Sequence, residues 1–125
     1  MFNKNNPCNN ITNLLYYKRK DLTFLKQAQK ELRNVPKDVN KNLLDLFDEL
    51  MEGHKLSMPV SKPLFSIAVG LHELRLSGQA GEFRVFYLIM AENTIYVIHA
   101  ASKKKQEMDK KTRKILETRI RSLGI

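Results

Sequence analysis

The densest hydrophobic patterning in the chain lies between Gly70 and Lys105, GLHELRLSGQAGEFRVFYLIMAENTIYVIHAASKKK. Apolar and polar positions alternate there in three bursts, separated by SGQAGE (Ser77 to Glu82) and by Glu92-Asn93. A period of two broken by Gly- and Asn-containing turns predicts a three-stranded antiparallel meander. Centring the first turn sets Arg75 opposite Arg84. A two-residue second turn sets Phe86 opposite His99 and Leu88 opposite Val97. One face of the predicted sheet then carries Glu73, Arg75, Arg84, Phe86, Leu88, Val97 and His99. The other carries Leu74, Leu76, Phe83, Val85, Tyr87, Ile89, Tyr96 and Ile98, a nearly continuous apolar surface on which helices can seat. A slip of one residue would exchange the faces.

Upstream the period changes to that of helices. Leu25, Ala28, Leu32 and Val35 follow Asp21, an expected N-cap, and Val39, Leu43, Leu46, Phe47 and Leu50 form a second stripe ending near Gly53. Pro36 suits the first turn of that second helix, so the pair is expected to form an αα-hairpin. A short strand at Asn13 to Arg19 is expected at a sheet edge, and Met1 to Thr12 is expected to be a flexible Asn-rich tail with Cys8 incidental to function. His54 to Val69, with Pro59 and Pro63 around Lys62, reads as loop. A last helix from about Asp109 to Leu123 presents Ile115, Leu116, Ile120 and Leu123 on one side. The expected whole is a single α+β domain over residues 13–125.

Composition adds a sign to this frame. The 125 residues are 42% hydrophobic, with 22 Lys and Arg against 13 Asp and Glu, a formal net charge of +9. Between Lys103 and Arg121 nine basic residues face three acidic ones, so six of the nine net charges lie at the C-terminal end. A polyanion is the natural partner of such a surface, and nucleic acid the commonest. One cysteine cannot make an internal disulfide, no apolar run suits a membrane span, and the N-terminus lacks a signal-peptide core, so the cytoplasm is expected. Phosphate-loop, dinucleotide, zinc-protease and Cys/His metal-ligand motifs are missing, and no cofactor is implied. Two arginines placed across a strand pair repel each other. Either Glu73 neutralises one while solvent screens the other, or both face a bound phosphate, which suits the planar guanidinium.

Several motifs together resemble the phage-derived branch of the HigB/RelE toxin superfamily. They are Lys62-Pro63-Leu64, Gly70 to Leu76 (GLHELRL), Phe83 to Ile89 (FRVFYLI) and Ile98 to Gln106 (IHAASKKKQ), followed by the basic helix. The resemblance covers residues 14 to 123. The sequence departs from the family pattern at His72, where an aromatic is usual, at Ala100-Ala101 in place of Gly-Phe, at Lys105 in place of Thr, and at Asp109 in place of a helix-opening Pro. The Ala-Ala change bears on the loop beside His99.

The resemblance implies the toxin of a toxin–antitoxin pair that cleaves mRNA in the ribosomal A site. It also implies inhibition by a small helix-turn-helix antitoxin, with operator DNA bound only through the complex. Such a ribonuclease can use the RNA 2′-OH as nucleophile without a metal. It then needs cations for the developing charge and groups for proton transfer. Arg75 and Arg84 are assigned to the phosphate, Lys103 and Lys104 to charge or proton transfer, and His99 to acid–base work by its intrinsic pKa. Lys62, Lys105, Lys110, Lys111, Arg113 and Lys114 are expected to contact RNA. Tyr87 matches the family's tyrosine but falls on the apolar face, so it is expected in the core. Arg84→Ala is expected to abolish toxicity in a folded protein. Three rivals stand beside this: a ParE-like gyrase inhibitor, a basic RNA- or ribosome-binding protein without catalysis, and a degenerate toxin kept as a binding partner.

Overall fold

The structure, a computed structural model, describes residues 20–90, 93–103 and 108–124. The expected tail, Met1 to Thr12, and the expected strand, Asn13 to Arg19, lie outside the described residues. A five-stranded sheet runs in the order β1-β5-β4-β3-β2. The meander appears as β3 (Leu71–Gly78), β4 (Gly81–Ile89) and β5 (Thr94–Lys103). Two edge strands extend it. β1 (Asp21–Phe24) pairs parallel with β5, and β2 (Ser61–Pro63) pairs antiparallel with β3.

Both edges correct the sequence expectation. Asp21 starts a strand rather than capping a helix. The first helix, α1 (Lys26–Leu32), begins after Leu25, without a side-chain cap. Leu22 and Phe24 pack into the core from β1, and Phe24 meets Phe47 edge-to-face with ring centroids 5.6 Å apart. A four-residue strand is too short to declare itself against the helical spacing that follows it. β2 hides between two prolines, and its own Pro63 is tolerable because β2 lies at an edge.

α2 (Lys37–Met51) follows Pro36 directly, and Gly53, at φ +88°, ends it as expected. Its residues Val39, Leu43, Leu46, Phe47 and Leu50 are buried with Ala28 of α1 against Leu74, Leu76, Phe83, Val85 and Tyr87. The opposite face of the sheet is covered by α3 (Lys110–Ser122), where Leu116 joins Leu71, Phe86, Leu88 and Ile98. Each layer therefore has its own apolar stripe to bury, the standard solution for an α+β domain.

The register is right at one end and shifted at the other. Arg75 faces Arg84 and Phe86 faces His99, as the turns predict. A bulge then intervenes. Tyr87 pairs with Val97 and Leu88 with Tyr96, leaving Ile98 as the extra residue. The residues before the bulge exchange faces: Val97 goes to the α1–α2 core, whereas Tyr96 and Ile98 go under α3. A one-residue insertion has this effect because strand side chains alternate with period two. Gly70 also has a positional reason. Its φ is +87°, and a Cβ there would lie 2.6 Å from the carbonyl oxygen of Ile89.

Candidate functional site

The α3-covered face is a grid of cross-strand rows. Lys62, Glu73, Phe86 and His99 form one row. Arg75, Arg84 and Ala101 form the next, and Ser77, Glu82 and Lys103 the third. The period of two places Glu73 beside Arg75 on β3 and Glu82 beside Arg84 on β4. Opposed arginines are therefore interleaved with carboxylates rather than left to solvent. Glu73 accepts from Nε of Arg75 at 3.2 Å and from Nη1 of Arg84 at 2.9 Å. Glu82 accepts from Nε of Arg84 at 3.1 Å and also from its Nη2. One carboxylate thus bridges both arginines, and a second completes Arg84.

Burial grades this cluster. The Arg84 and Glu73 side chains are 1% and 3% exposed, whereas Arg75 is 20% and Glu82 37% exposed. Burial works against the charge on Arg84, but the bonds to Glu82 and Glu73 outweigh it and hold the guanidinium above its ordinary pKa. Lys103 behaves in the opposite way. Burial pushes its amine below the usual lysine range, with Arg84 and Arg75 adding to the depression against Glu73 and Asp109. Arg84, Phe86, Ala101, Ser102, Lys103, Asp109 and Thr112 line a pocket of about 210 Å³. Asp109 enters it as the N-cap of α3, accepting from the Thr112 backbone N–H at 2.7 Å.

His99 does not line that pocket. It is buried, stacked on Phe86 at 5.6 Å between ring centroids, and its Nδ1 lies 2.9 Å from Glu31 of α1. Arg119 of α3 bonds both oxygens of Glu31, at 2.8 and 2.9 Å, and the Ile98 carbonyl at 3.0 Å. Burial holds the imidazole below its ordinary pKa despite Glu31. A neutral ring must then donate from Nδ1 to the carboxylate. His99 thus joins α1, β5 and α3 through its side chain, while the register keeps it on the face of Arg84 and one row away, as the turns predict.

The remaining sequence candidates scatter. Lys62 is exposed on β2, and Lys110, Lys111 and Lys114 are exposed along α3. Arg113 is partly tied down, to Glu117 and to the Ser66 carbonyl, each at 3.3 Å. Lys111, Lys114 and Arg119 line a second groove, between α3 and Gln27 of α1. Lys104 and Lys105 lie outside the described residues. Tyr87 is in the core, its hydroxyl 2.6 Å from that of buried Ser61. Sequence reasoning missed Glu82, Asp109 and Glu31 as partners. Glu82 was legible as the residue two before Arg84 on the same strand. Glu31 was not, because 88 residues separate it from Arg119.

With this geometry in hand, comparison with known proteins places the chain. Residues 30–121 match the model of a family described as phage-derived protein Gp49-like. Among solved structures, the chain is similar to an arginine-to-alanine mutant of the Escherichia coli toxin RelE in its free state. The identity is 17% and the TM-score 0.47, over 84% of this chain and 98% of that one. It is also similar to the RelBE2 toxin–antitoxin complex of Mycobacterium tuberculosis, at 21% identity and a TM-score of 0.43, over 68% of this chain and 99% of that one. Comparison with curated protein sequences finds no match. A family match spanning most of the chain, from the end of α1 through α3, agrees with the phage-derived branch that the motifs resemble: the chain belongs to the phage-derived Gp49-like family.

Proposed function

We propose that this protein is the toxin of a toxin–antitoxin pair and acts as an endoribonuclease on mRNA at the ribosome. The observation that carries the reading is the meeting of Arg84, Lys103 and Asp109 in one pocket, with Arg75 coupled to it through Glu73. In the proposed reaction the 2′-oxygen bonds to phosphorus as the bond from phosphorus to the 5′-oxygen breaks. The 2′-OH proton passes to the Asp109 carboxylate, and the Lys103 ammonium gives a proton to the departing 5′-oxygen. Arg84 and Arg75 offset the charge that grows on the non-bridging oxygens. A lysine with a depressed pKa is a better acid at neutral pH than an ordinary one.

The exposed basic residues of α3 supply sequence-independent attraction to the RNA backbone, a term that weakens with salt. The proposed partner that silences the toxin is a small helix-turn-helix antitoxin, through which the pair reaches operator DNA. Primer extension on cellular mRNA after brief induction tests the activity. Wild-type protein should leave discrete cuts, and Lys103→Met should reduce them by about a hundredfold or more, the usual worth of a positioned acid. Intact mRNA accompanied by altered plasmid supercoiling would overturn the assignment in favour of gyrase inhibition.

A further inference from the structure

The carboxylates on Arg84 differ in a way that assigns them different jobs. Glu73 is the inner partner, 3% exposed and shared with Arg75. Glu82 is the outer one, 37% exposed, at the second residue of β4 beside the tight hairpin where Gly78 pairs with Gly81. It covers one whole edge of the guanidinium, accepting from both Nε and Nη2 on a single oxygen. That edge is the one a phosphate would use for a two-bond, fork-to-fork contact. Arg84 itself is only 1% exposed, and the Glu82 carboxylate occupies the side of those donors that an anion's two-bond contact would take.

We propose that Glu82 is an internal stand-in for a phosphodiester, and that RNA binds by exchanging its phosphate for the Glu82 carboxylate on the Nε–Nη2 edge of Arg84. The proposal rests on reading this pocket as an RNA site. The fold provides for the exchange on both sides. Glu73 stays in place, so the buried guanidinium is not stranded when Glu82 leaves. Lys103 stands directly across the strand pair from Glu82 on the same face, where a displaced carboxylate meets a cation. The resting cluster sets two arginines and Lys103 against two carboxylates, and moving Glu82 outward leaves its cationic excess to the ligand. Free anions must compete with a tethered carboxylate, so the device favours a substrate held in place by other contacts, such as those along α3. Glu82 is therefore a specificity-setting residue rather than a catalytic one.

The test is binding of the diribonucleoside monophosphate uridylyl-(3′→5′)-adenosine, and separately of inorganic sulfate, followed through the Arg84 Nε–H resonance by NMR. Three proteins are compared: wild type, Glu82→Gln, and Glu49→Gln, which makes the same charge change at an exposed site on α2. Glu82→Gln should bind the dinucleotide about tenfold more tightly than wild type, a difference of about 1.4 kcal/mol. Glu49→Gln should differ from wild type by less than about twofold, as expected of a screened surface charge. Thermal melts confirm that each variant is folded.

Equal dinucleotide affinity in Glu82→Gln and Glu49→Gln, with the Arg84 resonance moving in both, overturns the exchange but leaves the RNA site standing. Tighter sulfate binding by Glu82→Gln without dinucleotide binding upholds the exchange and overturns the RNA reading. An Arg84 resonance that neither ligand moves in any of the three proteins overturns both.

Discussion

Replacing Glu73 by Gln removes the charge that joins the two arginines while keeping nearly the same volume. The carboxylate is 3% exposed and bonds Arg75 at 3.2 Å and Arg84 at 2.9 Å. Breaking a buried pair by deleting one partner costs about 3–5 kcal/mol, because the other charge is left without compensation. Arg84 keeps Glu82, and a glutamine oxygen can still accept one bond, so the lower end, about 3 kcal/mol, is expected. At roughly 4 °C per kcal/mol for a domain of this size, the melting temperature should fall by about 12 °C. Arg84→Met should cost a similar amount, since it strands Glu73 beside Arg75 alone.

The double variant should cost less than the two changes summed, with a coupling of about 2 kcal/mol. Urea unfolding read by far-ultraviolet circular dichroism is the assay, the chain having no tryptophan to report by fluorescence. Costs that add to within about 0.5 kcal/mol would refute the bridge. By the same arithmetic Arg84→Ala, expected to abolish toxicity in a folded protein, should also lose about 3 kcal/mol of stability. Loss of toxicity in that variant would mix stability with chemistry, and Arg84→Lys, which keeps a charge but not the two-bond edge, separates them.

Two further outcomes follow from the packing. Gly70→Ala should cost about 1–3 kcal/mol by urea unfolding, because φ of +87° and a 2.6 Å approach to the Ile89 carbonyl leave no room for a Cβ; an unchanged midpoint would contradict the turn. His99, held below its usual pKa by burial, binds a proton less readily folded than unfolded. Its contribution to stability is present above about pH 6.5 and is lost as pH falls through the lower, folded value. Glu31, also depressed, acts with the same sign below about pH 4.5, the Arg119 and His99 bonds outweighing its burial. Melting temperatures should therefore fall on acidification from pH 7, and less steeply in His99→Gln; a rise between pH 7 and 5 would show that a charged His99–Glu31 pair is what the fold prefers.

The sequence disclosed the meander because its turns and its period of two agree, and that agreement carried the pairing of Arg75 with Arg84 and of Phe86 with His99. It failed beyond Phe86, where the pairing contains a bulge that alternation alone does not announce. The cationic face was legible, but the pairing of its arginines with carboxylates was only partly so. Glu73 is legible as a partner of one arginine, whereas Glu82, two residues before Arg84 on the same strand, is the local signal that charge counting passes over. The hydrogen-bond partners of His99 were illegible for a different reason. Its partners come from α1 and α3, and only the tertiary packing of helices on opposite ends of the chain brings Glu31 and Arg119 to it.

The chemistry of the cut ends tests the central claim most directly. Fragments from an mRNA translated in vitro with the purified protein should carry 5′-hydroxyl ends, labelled by polynucleotide kinase without prior dephosphorylation, opposite 2′,3′-cyclic phosphates. A 2′-O-methyl group at the scissile nucleotide should block the cut. Fragments bearing 5′-phosphates, or cleavage that survives the 2′-O-methyl group, would contradict attack by the RNA's own hydroxyl in the Arg84–Lys103 pocket.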